Sequence, residues 1–288
     1  MATLFLVGTP IGNLGDLSPR AADTLRQVSR VLAEDTRRTR VLTERVGSGA
    51  PLVSLHAHNE AERIGRILAW LEAGEDLALV SDAGTPLLSD PGARVVRAVL
   101  DAGHRVVPIP GPSAILTSLI ASGLAGERFT FLGFPPRKGP ERRALLERVA
   151  TSAETTVLFE SPHRLADLLD ALAEACGGGR PAAVARELTK LHEEMVRGTL
   201  HEVGAYYRQH PPKGEVTVVV APGGDSVVQS AHDQPASEGE LEVEARQLAG
   251  RLLAEGMKPS AAARELAARL DLARNEAYRV VQDCLAGR

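Results

Sequence analysis

The chain has 288 residues, of which 44% are hydrophobic, so it is long and apolar enough to bury the cores of two domains. A net charge of −4 and an aromatic content of 3% exclude a global basic field and argue against extended base-stacking surfaces, so any nucleic-acid contact must come from a local patch. The two cysteines fit neither a metal cluster nor a disulfide framework, and the sequence shows neither a signal peptide nor a membrane span, which predicts a soluble, cytoplasmic protein without a metal.

The first 122 residues alternate short apolar runs with helical patterns. The apolar runs predict five strands, at residues 3–7, 31–33, 51–55, 77–80 and 105–109. Alternation of this kind is typical of an α/β domain with a largely parallel sheet.

Three loops rich in small residues follow the first, fourth and fifth of these strands. In the first loop the spacing G-x-x-x-G-x-x-G is close to a dinucleotide fingerprint, but Pro10 and a helix that starts only at residues 18–19 argue against a phosphate ligand. The second loop spans residues 81–86 and is followed by a predicted helix cap at 89–91. The third loop spans residues 110–114. Because such loops meet at the carboxyl edge of a parallel sheet, they predict a ligand site there.

Charged and polar residues follow the second and third strands. The stretch 34–40 fits a solvated helix start and a rim that faces RNA or substrate equally well, and both interpretations stay open. His56 and His58 lie two residues apart, but without a nearby cysteine or third histidine they do not predict a metal site. Asn59 and Glu62 predict a capping box for the next helix.

A second α/β series follows a short linker at residues 123–127. Its apolar runs predict strands at residues 128–134, 155–159, 182–185 and 215–221. The loop after the first of these strands concentrates positive charge, which fits a phosphate contact or an ordinary solvated loop; its basic residues are Arg137, Lys138, Arg142 and Arg143.

The composition predicts four segments. They are an N-terminal α/β domain at residues 1–122, a second α/β domain at 123–222, a flexible linker at 223–239 and a helical tail domain at 240–288. Two short helices with a tight turn between them make the tail resemble a helix-turn-helix. A helical appendage that packs on the body or on a partner subunit is the alternative.

Seven motifs in this order carry a family resemblance: VGTPIGNLGDLS, AEDTRRTR, SDAGTPLLSDPG, PGPSA, FESPHR, ARELTKLHEE and KGE. Together they resemble the bacterial 16S rRNA 2′-O-ribose cytidine methyltransferases of the tetrapyrrole-methylase-like, or class III, superfamily. The resemblance implies a homodimer of two α/β domains with S-adenosylmethionine in the cleft between them, and a helix-turn-helix-like tail. It also implies methyl transfer to a cytidine ribose in the decoding region of the small-subunit rRNA, within the 30S subunit.

The resemblance assigns cofactor contacts to both domains. By motif position the contacts in the first domain are Pro10, Asp82, Ala83, Gly84, Thr85, Leu88, Ser113 and Ala114, and those in the second are Phe159 and Ala185. The tetrapyrrole methylases carry a Gly-Asp-Pro loop where this chain has Gly84-Thr85-Pro86, which argues against a tetrapyrrole substrate.

Transfer of a methyl group from a sulfonium to a ribose hydroxyl is an in-line displacement, helped by a proton acceptor and by a cation near the developing alkoxide. Glu187 is the predicted acceptor, and Lys190 or Arg186 the predicted cation; Glu160 lies in a motif that should face the same cleft. A structural ion-pair network or phosphate binding is the alternative for these residues. His163 and Arg164 are predicted to position RNA.

Two other functions stay open at this stage. One is a methylase of the same fold that acts on a small tetrapyrrole-like acid, whose carboxylates the basic loop could bind. The other is a noncatalytic RNA- or ribosome-binding module, against which the three small-residue loops argue.

Overall fold

The computed structural model describes residues 2–223, 245–246, 248–250, 252–253, 257–270 and 272–286. The chain divides into two compact units, Met1–Ser226 and Val227–Arg288. The predicted linker at 223–239 lies outside the described residues except for its first residue. None of the helices in the described ranges is long and apolar enough to cross a membrane.

The first lobe of the larger unit is built on a five-stranded parallel sheet, as the alternating pattern predicts. The strand order is β3-β2-β4-β1-β5. The strands are β1 (Thr3–Val7), β2 (Arg30–Ala33), β3 (Leu52–Ser54), β4 (Leu77–Val80) and β5 (Arg105–Ile109). The central strand β4 is buried along its whole length, because helices cover both faces of the sheet.

Five helices accompany this sheet: α1 (Pro19–Gln27), α2 (Thr36–Val46), α3 (Glu60–Glu72), α4 (Ala93–Asp101) and α5 (Ala114–Ser122). The predicted cap of α1 is confirmed, since the Ser18 hydroxyl accepts a hydrogen bond from the Ala21 amide. The predicted capping box at Asn59 is wrong, because its side chain instead bonds the His56 amide and the Ser54 carbonyl. The predicted cap before α4 is also wrong, because Gly92 occupies the N-cap position with φ 120°.

The second lobe is built on a mixed sheet with the order β6-β7-β10-β8-β9. Its strands are β6 (Phe129–Phe131), β7 (Thr155–Glu160), β8 (Pro181–Arg186), β9 (Glu194–Thr199) and β10 (Val216–Val220). Only β6 and β7 pair in parallel; the other three pairings are antiparallel. The sequence pattern does not predict β9, a half-exposed edge strand with little apolar alternation.

Three helices pack on this second sheet: α6 (Pro140–Thr151), α7 (Leu165–Cys176) and α8 (Leu200–Gln209). A capping box starts α8, since the Thr199 hydroxyl accepts from the Glu202 amide while the Glu202 carboxylate accepts from the Thr199 amide.

Helix α5 joins the two lobes. Its buried Ile115 and Leu119 pack against Val157, Ala183 and Val219 of the second sheet. The sequence order places α5 in the first α/β series, but its apolar face completes the core of the second. The two sheets are therefore held together by a shared helix, which fixes the cleft between them.

The smaller unit has a core of its own. Its described helices are Pro259–Leu270 and Arg274–Ala286. Ala262, Leu266, Ala277 and Val281 are buried between them, together with Ala249. These two helices match the helical tail that the sequence predicts.

Candidate active site in the cleft between the two sheets

A cavity of about 350 Å³ lies in the cleft between the two lobes of the larger unit. Loops at the carboxyl ends of β4 and β5 form one wall, as expected for a parallel sheet. The second lobe forms the other wall with residues that end β7 and begin β10. The first lobe lines it with Ile11, Arg38, Asp82, Ala83, Gly84, Thr85, Leu88, Ser89, Asp90, Ser113, Ala114 and Ile115, and the second with Phe134, Phe159, Glu160, Ser161, Pro162, Gly214, Glu215, Val216 and Thr217.

The first-lobe wall is held by close backbone contacts between the three small-residue loops. Thr9 and Gly84 exchange backbone hydrogen bonds of 2.9 and 3.1 Å, and Gly84 adopts φ 79°, which a side chain would disfavour. A Cβ atom on Gly8 would come within 2.7 Å of the Gly111 nitrogen. Glycine at these positions therefore lets the loops after β1, β4 and β5 converge as the sequence predicts.

Asp82 joins the wall to the neighbouring strand. Its carboxylate accepts a 2.9 Å hydrogen bond from the Asp35 amide and lies 3.5 Å from the Arg38 guanidinium. Asp82 thereby shapes the loop at the start of α2 and, in addition, lines the cavity. It also brings Arg38, from the charged stretch 34–40, to the cavity wall.

A strained loop carries the next part of the wall. Leu87 and Ser89 have φ values of 76° and 69°, in the left-handed region that few non-glycine residues adopt. This backbone path places Leu88 and Asp90 on the cavity wall, so Asp90 does not cap α4. Burial, and then the charges of Glu34 and Asp82, raise the pKa of Asp90 to about 6.

On the second-lobe wall the carboxylates are paired. Glu160 is fully buried; it accepts a 2.7 Å hydrogen bond from the Ser161 amide and lies 3.0 Å from the Arg164 guanidinium. Glu215 lies 3.1 Å from the Lys190 ammonium. The same ammonium donates a 2.8 Å hydrogen bond to Glu187. Charge on this side of the cavity is therefore largely neutralised.

The segment that carries Glu187 is tightly constrained. Glu187 and Thr189 have φ values of 51° and 67°, and a Cβ atom on Gly214 would overlap the Glu187 carboxylate. Burial opposes ionisation, but hydrogen bonds from Lys190 and from the Glu215 amide hold the pKa of Glu187 below its usual value. The segment therefore works as an ion-paired support behind Glu215.

Comparison with known proteins identifies the fold and the family. The model of the tetrapyrrole (corrin/porphyrin) methylases matches residues 3–204. The chain belongs to this methylase family.

Within the family, the chain groups with proteins named ribosomal RNA small subunit methyltransferase I. The relative from Synechocystis is 44% identical and aligns over 97% of both chains. The relative from Bacillus subtilis is 47% identical over 76% of this chain and 75% of its own, and that from Mycobacterium tuberculosis H37Rv is 50% identical over 76% and 77%. These matches confirm the predicted membership of the rRNA methyltransferases.

Solved structures of other methylases have the same fold. Cobalt precorrin-4 methyltransferase matches 76% of this chain and 94% of its own with a TM-score of 0.60 at 17% identity. A uroporphyrin-III C-methyltransferase from Thermus thermophilus, solved in complex with S-adenosylhomocysteine, matches 79% of this chain and 99% of its own with a TM-score of 0.55 at 20% identity. The predicted two-lobed α/β fold is thereby confirmed.

Most cofactor contacts predicted for this methylase lie together on the cavity wall. They are Asp82, Ala83, Gly84, Thr85, Leu88, Ser113, Ala114 and Phe159. Pro10 lies instead beside Arg38 in a small adjoining groove, and Ala185 is buried behind Ile11. The wall residues without a predicted role include Ile11 and Glu215, which lie within the quoted motifs, and Phe134, which lies outside them.

Of the four predicted catalytic residues, Glu160 lies on the cavity wall. Glu187 and Lys190 stand behind the wall and reach it through Glu215. Arg186 is the last residue of β8 and pairs with Glu194 at 3.1 Å. Glu194 also accepts hydrogen bonds from the hydroxyls of Tyr206 and Tyr207, so Arg186 belongs to a network that ties β8 and β9 to α8.

The predicted RNA contacts fall into two groups. Arg137, Lys138, Arg143 and His163 are exposed to solvent. Arg142 and Arg164 instead donate to backbone carbonyls: Arg142 bonds Pro136 at 3.2 Å, and Arg164 bonds Pro135 at 2.7 Å. The second pair therefore shapes the basic loop, while the first group can reach a partner.

Proposed function

We propose that this methyltransferase binds S-adenosylmethionine in the cleft cavity and transfers the methyl group to the 2′-hydroxyl of a cytidine ribose in the decoding region of 16S rRNA. The observation that carries the proposal is the cavity itself, formed by the loops after β4 and β5 in a chain of this methylase family. The relatives named for small-subunit rRNA support the substrate class.

The cavity wall fits a nucleoside with a cationic amino-acid tail. Ala83, Gly84 and Ser113 offer backbone groups and little bulk, as a closely held adenosine requires. The rings of Phe134 and Phe159, whose centroids are 5.5 Å apart, offer an apolar surface on the opposite side. The carboxylates Asp82 and Asp90 on the first-lobe wall suit the positive charges of the sulfonium and ammonium groups. When bound, this cofactor supplies an activated methyl group.

The protein's own contribution is positioning and electrostatics. The shared helix α5 and the close loop contacts keep the two walls at a fixed separation, which holds the acceptor hydroxyl near the methyl carbon. Lys190 stands directly behind the wall, where Glu187 and Glu215 position it, and its ammonium would stabilise an alkoxide that develops on this side of the cavity. Among the predicted catalytic residues Glu160 is the carboxylate that lies on the wall itself, and it is the second candidate, after Glu187, for a role at the hydroxyl proton.

Mapping of 2′-O-methylation in 16S rRNA tests the reaction. In cells that lack this gene we expect one cytidine of the decoding region to lose its ribose methyl group and to regain it on complementation. Purified protein should label 30S subunits better than naked rRNA, because folded rRNA presents the nucleotide. An unchanged methylation pattern would reject the rRNA substrate, and equal labelling of both substrates would reject the requirement for the 30S subunit.

The exposed basic residues Arg137, Lys138 and Arg143 support an RNA-facing surface beside the cleft. Their side chains form no ion pairs within the part of the chain that the structure describes, so they are available for phosphates. We also propose that the tail at 240–288 contributes to RNA binding. Its removal should weaken association with 30S subunits and spare cofactor binding; unchanged association would favour a packing role.

A homodimer, working in the cytoplasm, completes the proposal. Leu116 and Ile120 on α5 expose 51% and 73% of their surface, and Phe129 on the edge strand β6 exposes 38%. Apolar residues grouped in this way are typical of a protein interface. Light scattering should give twice the chain mass, and Ile120→Asp should reduce it to the mass of one chain. A wild-type protein that scatters as a monomer would reject the dimer.

A further inference from the structure

The charges on the cavity wall are unevenly compensated. The wall carries four carboxylates but only one cationic side chain, that of Arg38. Three of the carboxylates have a cation within ion-pair distance: Asp82 has Arg38 at 3.5 Å, Glu160 has Arg164 at 3.0 Å and Glu215 has Lys190 at 3.1 Å. The fourth, Asp90, forms no ion pair with any residue in the described ranges.

The surroundings of Asp90 disfavour its negative charge. The charges that raise the pKa of Asp90 are those of Glu34, which follows β2, and Asp82, which follows β4, and both are acidic. The basic side chains on this side act on those two residues instead, with Arg38 beside Asp82 and with His56 and Arg38 near Glu34. The neighbouring Ser81 hydroxyl is uncharged and donates to the Ala83 and Gly84 carbonyls. Across the cavity, Glu160 and Glu215 are acidic and already paired with Arg164 and Lys190.

Local structure gives no reason for an acid at this position. Asp90 does not cap α4, because Gly92 takes that place. The loop adopts left-handed backbone at Leu87 and Ser89, and the side chain lies partly buried on the cavity wall. Strain and an uncompensated charge in one loop are typical of a position kept for a ligand.

The methyl donor and its product differ in charge. S-adenosylmethionine has a sulfonium and an ammonium against one carboxylate, so it is a cation at neutral pH. Transfer of the methyl group forms a bond between the methyl carbon and the ribose 2′-oxygen and breaks the S–CH₃ bond. The electron pair of the broken bond stays on sulfur as a neutral thioether, and the hydroxyl proton is released to solvent. S-adenosylhomocysteine therefore keeps the ammonium and the carboxylate but has a thioether in place of the sulfonium, so it carries no net charge.

We propose that Asp90 is the specificity-determining residue that makes the cavity prefer the cationic methyl donor over the neutral product. The inference rests on the proposed function. An uncompensated carboxylate attracts the net positive charge of the donor, whereas the product offers it no net charge. Loss of the positive charge during the reaction therefore weakens binding and favours product release. The paired carboxylates do not discriminate in this way, because a cation already neutralises each.

Proton release on binding is a consequence. With the pKa of Asp90 raised to about 6, a bound cation returns it toward its usual value and expels the proton from the protonated fraction. Affinity for the donor should therefore increase as the pH rises through about 6 and then become constant, whereas affinity for the product should stay flat.

Calorimetry on the full chain at about pH 8, where Asp90 is ionised, tests the inference. The ligands are S-adenosylmethionine, its stable cationic analogue sinefungin, and S-adenosylhomocysteine. Asp90→Asn keeps the shape and removes the charge; we expect about tenfold weaker binding of the two cationic ligands and a change of less than about twofold for the product. Asp90→Glu should keep most of the preference. Asp101→Asn, at the far end of α4, is the matched control and should bind all three ligands as wild type does.

Unchanged binding of the product by Asp90→Asn also shows that the variant is folded. Equal weakening of donor and product would overturn the inference, and so would unchanged affinity for the donor. Neither result affects the proposed function, because both require that the wild-type protein binds the cofactor. If the wild-type protein binds none of the three ligands, the proposed function fails together with this inference.

Discussion

The two lobes form their halves of the cleft differently. The first lobe uses local sequence: loops directly after β1, β4 and β5 converge through glycine contacts such as Gly8 on Gly111. The second lobe uses ion pairs, both local, as between Glu160 and Arg164, and nonlocal, as between Lys190 and Glu215. The first half therefore depends on the absence of side-chain bulk, and the second on charge compensation. Substitutions in the two lobes should therefore be harmful for different reasons: added side-chain bulk in the first lobe and uncompensated charge in the second.

The largest effect is expected at Glu160, in the second lobe. Glu160→Ala should reduce the free energy of unfolding by about 3 kcal/mol, because it leaves the Arg164 guanidinium and the Ser161 amide without their buried partner. Urea denaturation measures the loss. Asp101→Asn, which removes an exposed ion pair with Arg97, is the control and should cost less than about 0.5 kcal/mol. Similar costs for both variants would show that the Glu160 pair does not stabilise the fold.

A steric change should have the next largest effect, in the first lobe. Gly8→Ala places a Cβ atom 2.7 Å from the Gly111 backbone, which cannot move without separating β1 from β5. We expect a loss of about 2 kcal/mol in stability and a much weaker affinity for S-adenosylmethionine. Gly65→Ala is the control, because its added Cβ meets nothing within 4 Å and its helical position favours alanine. A Gly8→Ala protein that binds the cofactor normally would show that the loops tolerate separation.

The same difference explains what the sequence can predict. Each loop of the first lobe directly follows an apolar run, so the order of strand, small-residue loop and helix is visible locally; Ser18, for example, caps α1 as predicted. The alternating pattern also predicts the parallel pairing of the strands, but their order in the sheet is known only from the structure.

The second lobe is less predictable because its contacts join distant positions. The edge strand β9 has a half-exposed pattern that resembles a loop, and without it the pairing of Arg186 with Glu194 is invisible. Glu215 reaches the cavity only because β10 lies in the middle of its sheet. Asp90 shows the limit in the first lobe: an acid before proline is typical of a helix cap, yet the left-handed backbone of Gly92 displaces it onto the cavity wall.

Asp90→Asn should have a smaller effect on stability and, unlike the two substitutions above, should increase it. Because its folded pKa of about 6 lies above the usual value for an aspartate, the native state binds more protons than the unfolded state between about pH 4 and 6. Stability should therefore fall as the pH rises through this range and then level off. Asp90→Asn should be about 1 kcal/mol more stable than wild type at pH 8 and equal to it near pH 3, after allowance for partial exposure. Thermal unfolding at several pH values measures this, and a variant less stable than wild type at pH 8 would contradict it.

The smallest effect distinguishes the exposed basic residues of the second lobe from the arginine that bonds the backbone. Replacing Arg137 and Lys138 by alanine should leave stability unchanged, weaken binding to 30S subunits a few-fold and reduce the salt dependence of binding by about two ions, because each exposed cation would contact one phosphate. Arg142→Ala should instead lower stability, since its guanidinium donates to the Pro136 carbonyl and holds the loop. Binding measured over a series of salt concentrations distinguishes the two. If the double variant keeps the wild-type salt dependence, Arg137 and Lys138 do not contact RNA phosphates.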